Sequence, residues 1–151
     1  MKIIIAIFAF LLVILIWAGI KSQQMQPERI GLSGGMLMMC PDSPNCVCSE
    51  KHTQDDKKHY VAPIHADKKT WLKLAQKVAK LTGVRNEGDE NYLHAEFHTS
   101  LFHFADDLEL RYDEDAQLIH IRSASRMGHS DFGANRKRVE MIRKMAKRMQ
   151  S

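Results

Sequence analysis

YLHAEFHTSLFHFADDLELRYDEDAQLIHIR, residues 92–122, changes the hydrophobic period of this chain from that of a helix to that of a β-strand. Apolar and polar residues alternate over residues 92–99 and again over 108–112. A repeat of two residues is the spacing of a half-buried strand. The acidic run at 113–115 is typical of a turn, and residues 118–122 read as a returning strand. The stretch therefore predicts an antiparallel β-sheet.

Helical patterns stand on both sides of this stretch. Apolar residues recur at the spacing of one helix face over residues 68–82 and 134–150. Asp67 is the expected N-cap of the first helix, and Gly83 is its expected stop. Helices packed on an antiparallel sheet make an α+β domain. The 151 residues suffice for one such domain after a leading apolar segment.

The leading segment, Ile3 to Ile20, contains no charged residue and lies between Lys2 and Lys21. As a helix rising ~1.5 Å per residue it measures roughly 27 Å, close to the ~30 Å hydrocarbon core of a bilayer. Trp17 near its far end suits an interfacial anchor. A cleaved signal peptide is the alternative, but its apolar region is normally about 7–15 residues long, with small residues at the cleavage site. We therefore expect residues 1–21 to be an uncleaved transmembrane anchor.

The rest of the chain divides into two parts by composition. Residues 22–39 are expected to be a flexible tether, because Gly31, Gly34 and Gly35 interrupt regular structure. Residues 40–151 are then the exported α+β domain. The charges flanking the anchor are nearly balanced, and a short cytosolic tail before an exported domain is the common arrangement.

Three cysteines lie close together in CPDSPNCVC, residues 40–48. The prolines and turn-forming residues of this loop can bring Cys40 near Cys46 or Cys48. In an oxidising compartment a Cys40–Cys46 disulfide is the plain interpretation. Zinc is the alternative, with His52 or His59 as a fourth ligand, although structural zinc sites normally show two paired ligand clusters.

The stretch IRSASRMGHSDFGANRKR, residues 121–138, joins the last predicted strand to the last predicted helix. Ser130 or Asp131 can cap that helix, whose first turn presents free N–H groups and a partial positive charge. Arginines around a helix start suit the binding of an anion. The arginines of this stretch are Arg122, Arg126, Arg136 and Arg138.

These arginines also have internal partners within reach. Asp106, Asp107 and Glu109 lie on the preceding strand, near the first two arginines of the stretch if the strands form a hairpin. Arginine–carboxylate forks hold a loop to a sheet as well as they hold a ligand. We then expect Arg136 and Arg138 to remain available for a ligand, with whichever strand arginine the carboxylates leave unpaired.

A hydrolase is the rival class, because serine, histidine and aspartate crowd together at Ser123, Ser125, His129 and Asp131, with His120 as another possible base. Neither serine shows the strand–elbow–helix signature of a nucleophile, and neighbours in sequence do not make a triad. His94 and His98 stand roughly 13 Å apart on a strand, too far to share a metal ion. We favour a non-enzymatic protein and expect neither cofactor nor metal.

The last predicted helix is basic, with seven lysine and arginine residues and one glutamate over residues 134–151. Nucleic acid is the usual partner of such a helix, but export of the domain excludes it. A third alternative is a scaffold subunit whose basic C-terminal helix docks to acidic lipid headgroups or to a partner protein.

Three blocks, CPDSPNCV, FADDLEL and RSASRMGHSDFGANRKRVE, resemble the signature blocks of the family called domain of unknown function 1499. The resemblance spans residues 40–148 and implies a bacterial or organellar envelope protein, often with an N-terminal hydrophobic segment. It implies no activity. The family usually has serine where Cys48 stands, which favours Cys40–Cys46 as the disulfide pair. It commonly has an aromatic residue where His129 stands, which weakens this histidine as a catalytic base.

The residue pattern and the resemblance together define a candidate ligand site at the Arg-rich junction of loop and helix. We expect a single-pass protein of the bacterial inner membrane whose C-terminal domain lies in the periplasm and binds an anionic ligand, a lipid headgroup or an envelope protein. The candidate ligand-binding residues are Arg122, Ser123, Ser125, Arg126, Asp131, Asn135, Arg136 and Arg138, with Asp106, Asp107 and Glu109 as structural partners.

Overall fold

A computed structural model of the chain describes residues 1–27, 29–82, 90–99 and 102–150. An N-terminal helix comes first, then short strands and a helix, then three long strands and a final helix. The elements are α1 (Lys2–Gln24), β1 (Leu32–Ser33), β2 (Met36–Leu37), β3 (Cys46–Cys48), β4 (Ile64–His65), α2 (Lys68–Thr82), β5 (Tyr92–His98), β6 (Ala105–Asp113), β7 (Leu118–Ser125) and α3 (Ala134–Gln150).

The main sheet is antiparallel, in the order β3-β7-β6-β5, and β4 also pairs with β7. The predicted α+β class is therefore confirmed. Helices α2 and α3 occupy the ranges expected from their apolar repeats. Asp67 acts as the expected cap, since its Oδ1 accepts a hydrogen bond from the Thr70 amide at 2.8 Å. The expected stop at Gly83 lies outside the described residues.

One face of the sheet is covered by α2 and α3 and forms the apolar core. Trp71 of α2 is buried and stacks on Tyr112 of β6, with ring centroids 5.9 Å apart. Ile142 of α3 packs in the same cluster as Leu110 and Ile121 of the sheet. Burial of such side chains contributes about 1.5–3 kcal/mol each, so this face supplies most of the stability.

The opposite face of the sheet is polar and is covered by the segment that follows α1. This segment was expected to be a tether, but its second half forms the β1–β2 hairpin and packs on the domain. Gly34 and Gly35 have φ of 58° and 77°, which makes the tight turn of a hairpin instead of interrupting it. The Leu37 amide donates to Glu50 Oε1 at 3.1 Å, and the Gly31 amide donates to Glu109 Oε1 at 2.8 Å. Buried carboxylates therefore hold the segment in place.

Helix α1 is long and apolar enough to cross a membrane, as a signal sequence near an N-terminus also is. Its residues from Ile3 to Ile16 are exposed, whereas Gly19 and Ser22 in the last turns are buried against the domain. The Ala105 amide donates to Ser22 Oγ at 3.1 Å. A Cβ on Gly19 would overlap the backbone of Phe102. The end of α1 is thus docked on the turn before β6.

We expect Gly19→Leu to undock α1 from the domain, because the new side chain cannot share space with the Phe102 carbonyl group. The Ala105 amide would then lose its Ser22 acceptor and exchange with solvent about tenfold faster or more. Hydrogen exchange of the full-length chain in detergent, measured by mass spectrometry, checks this. Ala9→Leu, on an exposed part of α1, is the matched control and should leave the exchange rate unchanged.

Candidate functional site

The Arg-rich junction is divided between the two faces of the sheet. Successive residues of a strand point to opposite faces, so Arg122 and Arg126 lie on the polar face while Ser123 and Ser125 lie on the helix-covered face. The contacts of each pair follow this division, since Arg122 and Arg126 bind carboxylates of the polar face and Ser123 and Ser125 bind Asn135 of α3. The junction therefore contains two separate polar clusters.

The first cluster centres on a buried ion pair between Arg122 and Glu109, which lie directly opposite each other on β7 and β6. Arg122 Nη1 donates to Glu109 Oε2 at 2.8 Å, and Glu109 is 0% exposed. The Tyr92 hydroxyl donates to Glu109 Oε1 at 2.7 Å. Burial and the Glu109 charge together raise the pKa of Tyr92, which keeps this phenol a donor.

Arg122 itself is not fully satisfied by these contacts. The residue is 3% exposed, and its Nε is a buried donor with no hydrogen-bond partner among the residues that the structure describes. A buried donor without an acceptor costs about 1–3 kcal/mol. Buried polar groups in folded proteins usually have partners, so this nitrogen is an unsatisfied donor within the polar face of the sheet.

Arg126 joins the polar face of the sheet to the end of α1. Its Nε donates to Asp107 Oδ2 at 2.9 Å and its Nη2 to Asp107 Oδ1 at 2.8 Å, and Nη2 also contacts Glu96. Its Nη1 donates to the Met25 carbonyl at 3.3 Å. Burial opposes ionisation of Asp107, but the hydrogen bonds from Arg126 and His94 hold its pKa below the ordinary value of 3.8.

The lowered pKa of Asp107 predicts an acid-dependent loss of stability. A carboxyl group whose pKa is lower in the folded than in the unfolded state stabilises the fold above its ordinary pKa, and this contribution disappears as the pH falls through the folded value. Urea unfolding at neutral pH and at a pH below the folded-state pKa of Asp107 should show that Asp107→Asn costs stability at neutral pH and much less in acid. An equal cost at both pH values would contradict the assignment.

A cavity of about 250 Å³ opens beside this first cluster. Among the described residues, its charged lining consists of three arginines, Arg29, Arg122 and Arg126, and one aspartate, Asp107. Arg122 is paired with Glu109, and Arg126 with Asp107 and Glu96, so the unpaired charge of the described wall is that of Arg29. The rest of the lining consists of Met25, Gln26, Pro27, Pro41, Ser43, Asn45, Ala124, Ser125 and Gly128.

The second cluster, on the helix-covered face, centres on the buried side chain of Asn135. Its Oδ1 accepts hydrogen bonds from Ser123 Oγ and Arg138 Nη1, both at 2.6 Å. Its Nδ2 donates to the Asn45 carbonyl and to Ser125 Oγ, both at 2.9 Å. The four hydrogen bonds of the Asn135 side chain thus join α3 to β7 and to the cysteine loop.

Arg138 and Arg136, which the sequence left as candidates for ligand binding, both have partners within the protein. Arg138 Nη2 pairs with Asp106 Oδ2 at 2.6 Å, and its guanidinium lies 4.9 Å from the centre of the Phe97 ring. Arg136 donates to the Tyr60 and Lys58 carbonyls, each at 3.0 Å. The fold brings acceptors from distant segments to both guanidinium groups, and their binding of a ligand stays a prediction.

The start of α3 is also occupied by the protein's own carboxylate. Asp131 Oδ2 accepts the Asn135 amide at 2.7 Å, and its Oδ1 accepts the Gly133 amide at 3.0 Å. The predicted cap at Asp131 is therefore confirmed. Since this carboxylate already interacts with the free N–H groups, the helix start is not the place where an external anion would bind.

The serines of the junction do not meet a base. Ser123 donates to Asn135, and Ser125 accepts from it, and neither has a histidine partner within the described ranges. His120 lies on the polar face, where its Nδ1 is 3.3 Å from Glu50 Oε2, and burial lowers its pKa. The geometry of a serine hydrolase is thus not assembled at this junction.

Sequence reasoning missed a second buried ion pair on the polar face. Glu50 is 1% exposed and accepts from Arg111 Nε at 2.9 Å and Nη2 at 3.1 Å. Arg111 stands two residues after Glu109 and therefore on the same strand face, which was the available signal. Arg29 and Asn45 of the cavity were missed as well, because they are distant from the junction in sequence.

The cysteine loop contains a disulfide between Cys40 and Cys46, as expected. Cys48 is free and buried, and burial raises the pKa of its thiol. Because Cys40 and Cys46 are joined in the disulfide, two of the three thiolates that the zinc alternative required cannot bind a metal ion. The loop instead positions Asn45, which lines the cavity and whose Nδ2 donates to the Gly128 carbonyl at 2.6 Å.

These features define a class of protein: a small α+β domain, preceded by one apolar helix, with an arginine-lined cavity on the polar face of its sheet. The sequence model of the family described as "protein of unknown function (DUF1499)" matches residues 36–145, and the chain belongs to this family. No curated protein and no solved structure matches the chain significantly.

Proposed function

We propose that this chain is a non-enzymatic, membrane-anchored domain of the cell envelope that binds an anionic group in the cavity lined by Arg29, Arg122 and Arg126. The observation that carries the proposal is the buried Nε of Arg122, which lacks a partner among the described residues, in a residue that lines a cavity together with the unpaired Arg29. An anionic oxygen at this position would satisfy the donor and balance the charge of the wall.

The charges of the cavity favour an anion over a cation or a neutral ligand. Asp107 is paired with Arg126, and Glu109 with Arg122, so these ion pairs are neutral and leave the charge of Arg29 uncompensated among the described residues. Arg29 is exposed and takes part in no ion pair within the described part of the chain. Arginine presents several donors in a fixed plane, which suits oxyanions such as phosphate and carboxylate.

Two further observations support the proposals that α1 is a membrane anchor and that the domain lies in the cell envelope. The last turns of α1 are buried against the domain, which is the arrangement expected if the helix remains part of the mature protein. The Cys40–Cys46 disulfide is typical of an oxidising compartment such as the bacterial periplasm. The proposed location is therefore the bacterial inner membrane, with the domain on the periplasmic side.

Thermal unfolding of the full-length chain in detergent tests anion binding. A ligand that binds only the folded state raises the unfolding temperature with its concentration. We expect inorganic phosphate to raise it above the value in chloride at equal ionic strength, and Arg29→Gln to remove most of this rise. Lys80→Gln, on the exposed surface of α2, is the matched control. No phosphate-specific rise, or an equal rise in Arg29→Gln, would contradict the proposal.

A further inference from the structure

The position of the cavity relative to α1 indicates the source of its ligand. Met25, Gln26 and Pro27, the first three residues after α1, form part of the cavity wall. Arg126 lines the same cavity and donates to the Met25 carbonyl. The site therefore begins where the apolar helix ends.

The contacts of α1 set the height of this cavity in a bilayer. The uncharged run ends at Ile20, and Met25 follows roughly 7–8 Å further along the helix axis at ~1.5 Å per residue. The headgroup layer adds about 5–8 Å on each side of the hydrocarbon core. Lys21 lies over the Trp17 ring, 5.0 Å from its centre, a pair suited to the membrane interface. The cavity wall thus lies at the level of the lipid headgroups.

The domain is held at this height by direct contacts, not only by chain connectivity. Gly19 meets the Phe102 backbone, Ser22 accepts from the Ala105 amide, and Gln23 Nε2 donates to the His103 carbonyl at 3.1 Å. Because β6 begins at Ala105 and carries Asp107, the polar face of the sheet is positioned relative to the same helix end.

The chemistry of the wall fits the headgroup of a phospholipid. The arginines match the oxygens of a phosphate diester, and the apolar parts of Met25, Pro27 and Pro41 can contact the glycerol portion. A free phosphate compound shares this chemistry, but a lipid phosphate is already present at the height of the cavity. We infer that the cavity takes the phosphate of a phospholipid from the membrane that holds α1. This inference rests on the proposed function.

Lipid retention by the full-length chain tests the inference. The chain is reconstituted in nanodiscs of phosphatidylethanolamine and phosphatidylglycerol, extracted with mild detergent, and examined by native mass spectrometry for bound phospholipid. We expect one phospholipid per chain in the wild type and in Lys80→Gln. Arg29→Gln and the charge reversal Arg29→Glu should retain at least about tenfold less phospholipid than the wild type. Circular dichroism confirms that each variant is folded.

The outcomes separate the inference from the proposed function. Phospholipid retention that depends on Arg29 and persists in excess inorganic phosphate supports the inference. Retention that is equal in Arg29→Glu places the lipid elsewhere and overturns it. If phosphate raises the unfolding temperature in an Arg29-dependent way but no phospholipid is retained, the inference fails and the proposed function stands. If neither phosphate nor phospholipid binds, both fail.

Discussion

Replacement of Arg122 by methionine is expected to destabilise the domain by about 3–5 kcal/mol, the usual cost of leaving one member of a buried ion pair unpaired. Glu109 is 0% exposed and, among the described residues, would keep only the Tyr92 hydroxyl and the Gly31 amide as donors. Methionine preserves much of the volume of the arginine stem, so the loss reports mainly on the uncompensated charge. Urea unfolding of the full-length chain, followed by near-ultraviolet circular dichroism, measures it.

The double variant Arg122→Met, Glu109→Gln separates charge from packing. Glutamine still accepts from Tyr92 and Gly31 but carries no charge, so we expect the double variant to recover at least about half of the lost stability. Arg143→Met removes a partly exposed ion pair with Glu140 and two hydrogen bonds to the Ala62 and Pro63 carbonyls, and it is the control outside the buried cluster, with an expected cost smaller than that of Arg122→Met. A similarly small loss for Arg122→Met alone would contradict the buried ion pair.

Asn135→Ala is expected to cost about 3 kcal/mol, because it removes four hydrogen bonds at a residue that is fully buried. The Asn45 carbonyl would lose its donor from α3, and Ser123 and Arg138 would lose a shared acceptor. The expected result is a fall in the free energy of unfolding and weaker docking of α3 on the sheet. Chemical denaturation measures the first effect, and hydrogen exchange of α3 measures the second.

Lys137→Ala, two residues further along α3, is the matched control for this change. Its side chain is exposed, and surface substitutions usually stay within about 0.5 kcal/mol. If Asn135→Ala were as mild as Lys137→Ala, the hydrogen bonds around Asn135 could not be what holds α3 to the cysteine loop.

The two variants address opposite faces of one sheet. Arg122 stabilises the polar face, where the N-terminal segment and the cavity lie, whereas Asn135 stabilises the face covered by helices. We expect Asn135→Ala to weaken phosphate binding less than Arg29→Gln does in chains that remain folded, since Asn135 contacts the lining residues Asn45 and Ser125 but is not part of the lining itself. This comparison distinguishes a ligand site from a purely structural network.

Local periodicity was enough to predict the helices and the long strands. The ranges 68–82 and 134–150 follow from apolar residues repeating at the spacing of a helix, and the helices occupy these ranges. The Cys40–Cys46 disulfide followed from a short loop rich in turn-forming residues together with the family resemblance. These features depend on residues close together in the chain, and such patterns are visible without a structure.

The partners of the charged residues required the tertiary structure. Arg122 meets Glu109 because the register of β6 and β7 places them opposite each other, and a shift by one residue would change the pair. On the helix-covered face, Arg138 of α3 reaches Asp106 of β6. On the polar face, Arg126 reaches the Met25 carbonyl, 101 residues away. From the sequence alone, several carboxylates could pair with each guanidinium. Strand register and helix packing select the actual partner.

The sequence of the Arg-rich stretch, residues 121–138, also could not by itself predict the contacts of its side chains. Its composition predicted a cluster of polar contacts at a strand–helix junction, and side-chain alternation along β7 is a local property. Its division into a closed structural cluster and an open cavity depends on what covers each face of the sheet. That covering comes from α2 and α3 on one side and from the segment after α1 on the other, and these segments are too far from residues 121–138 in the chain for local patterns to reveal it.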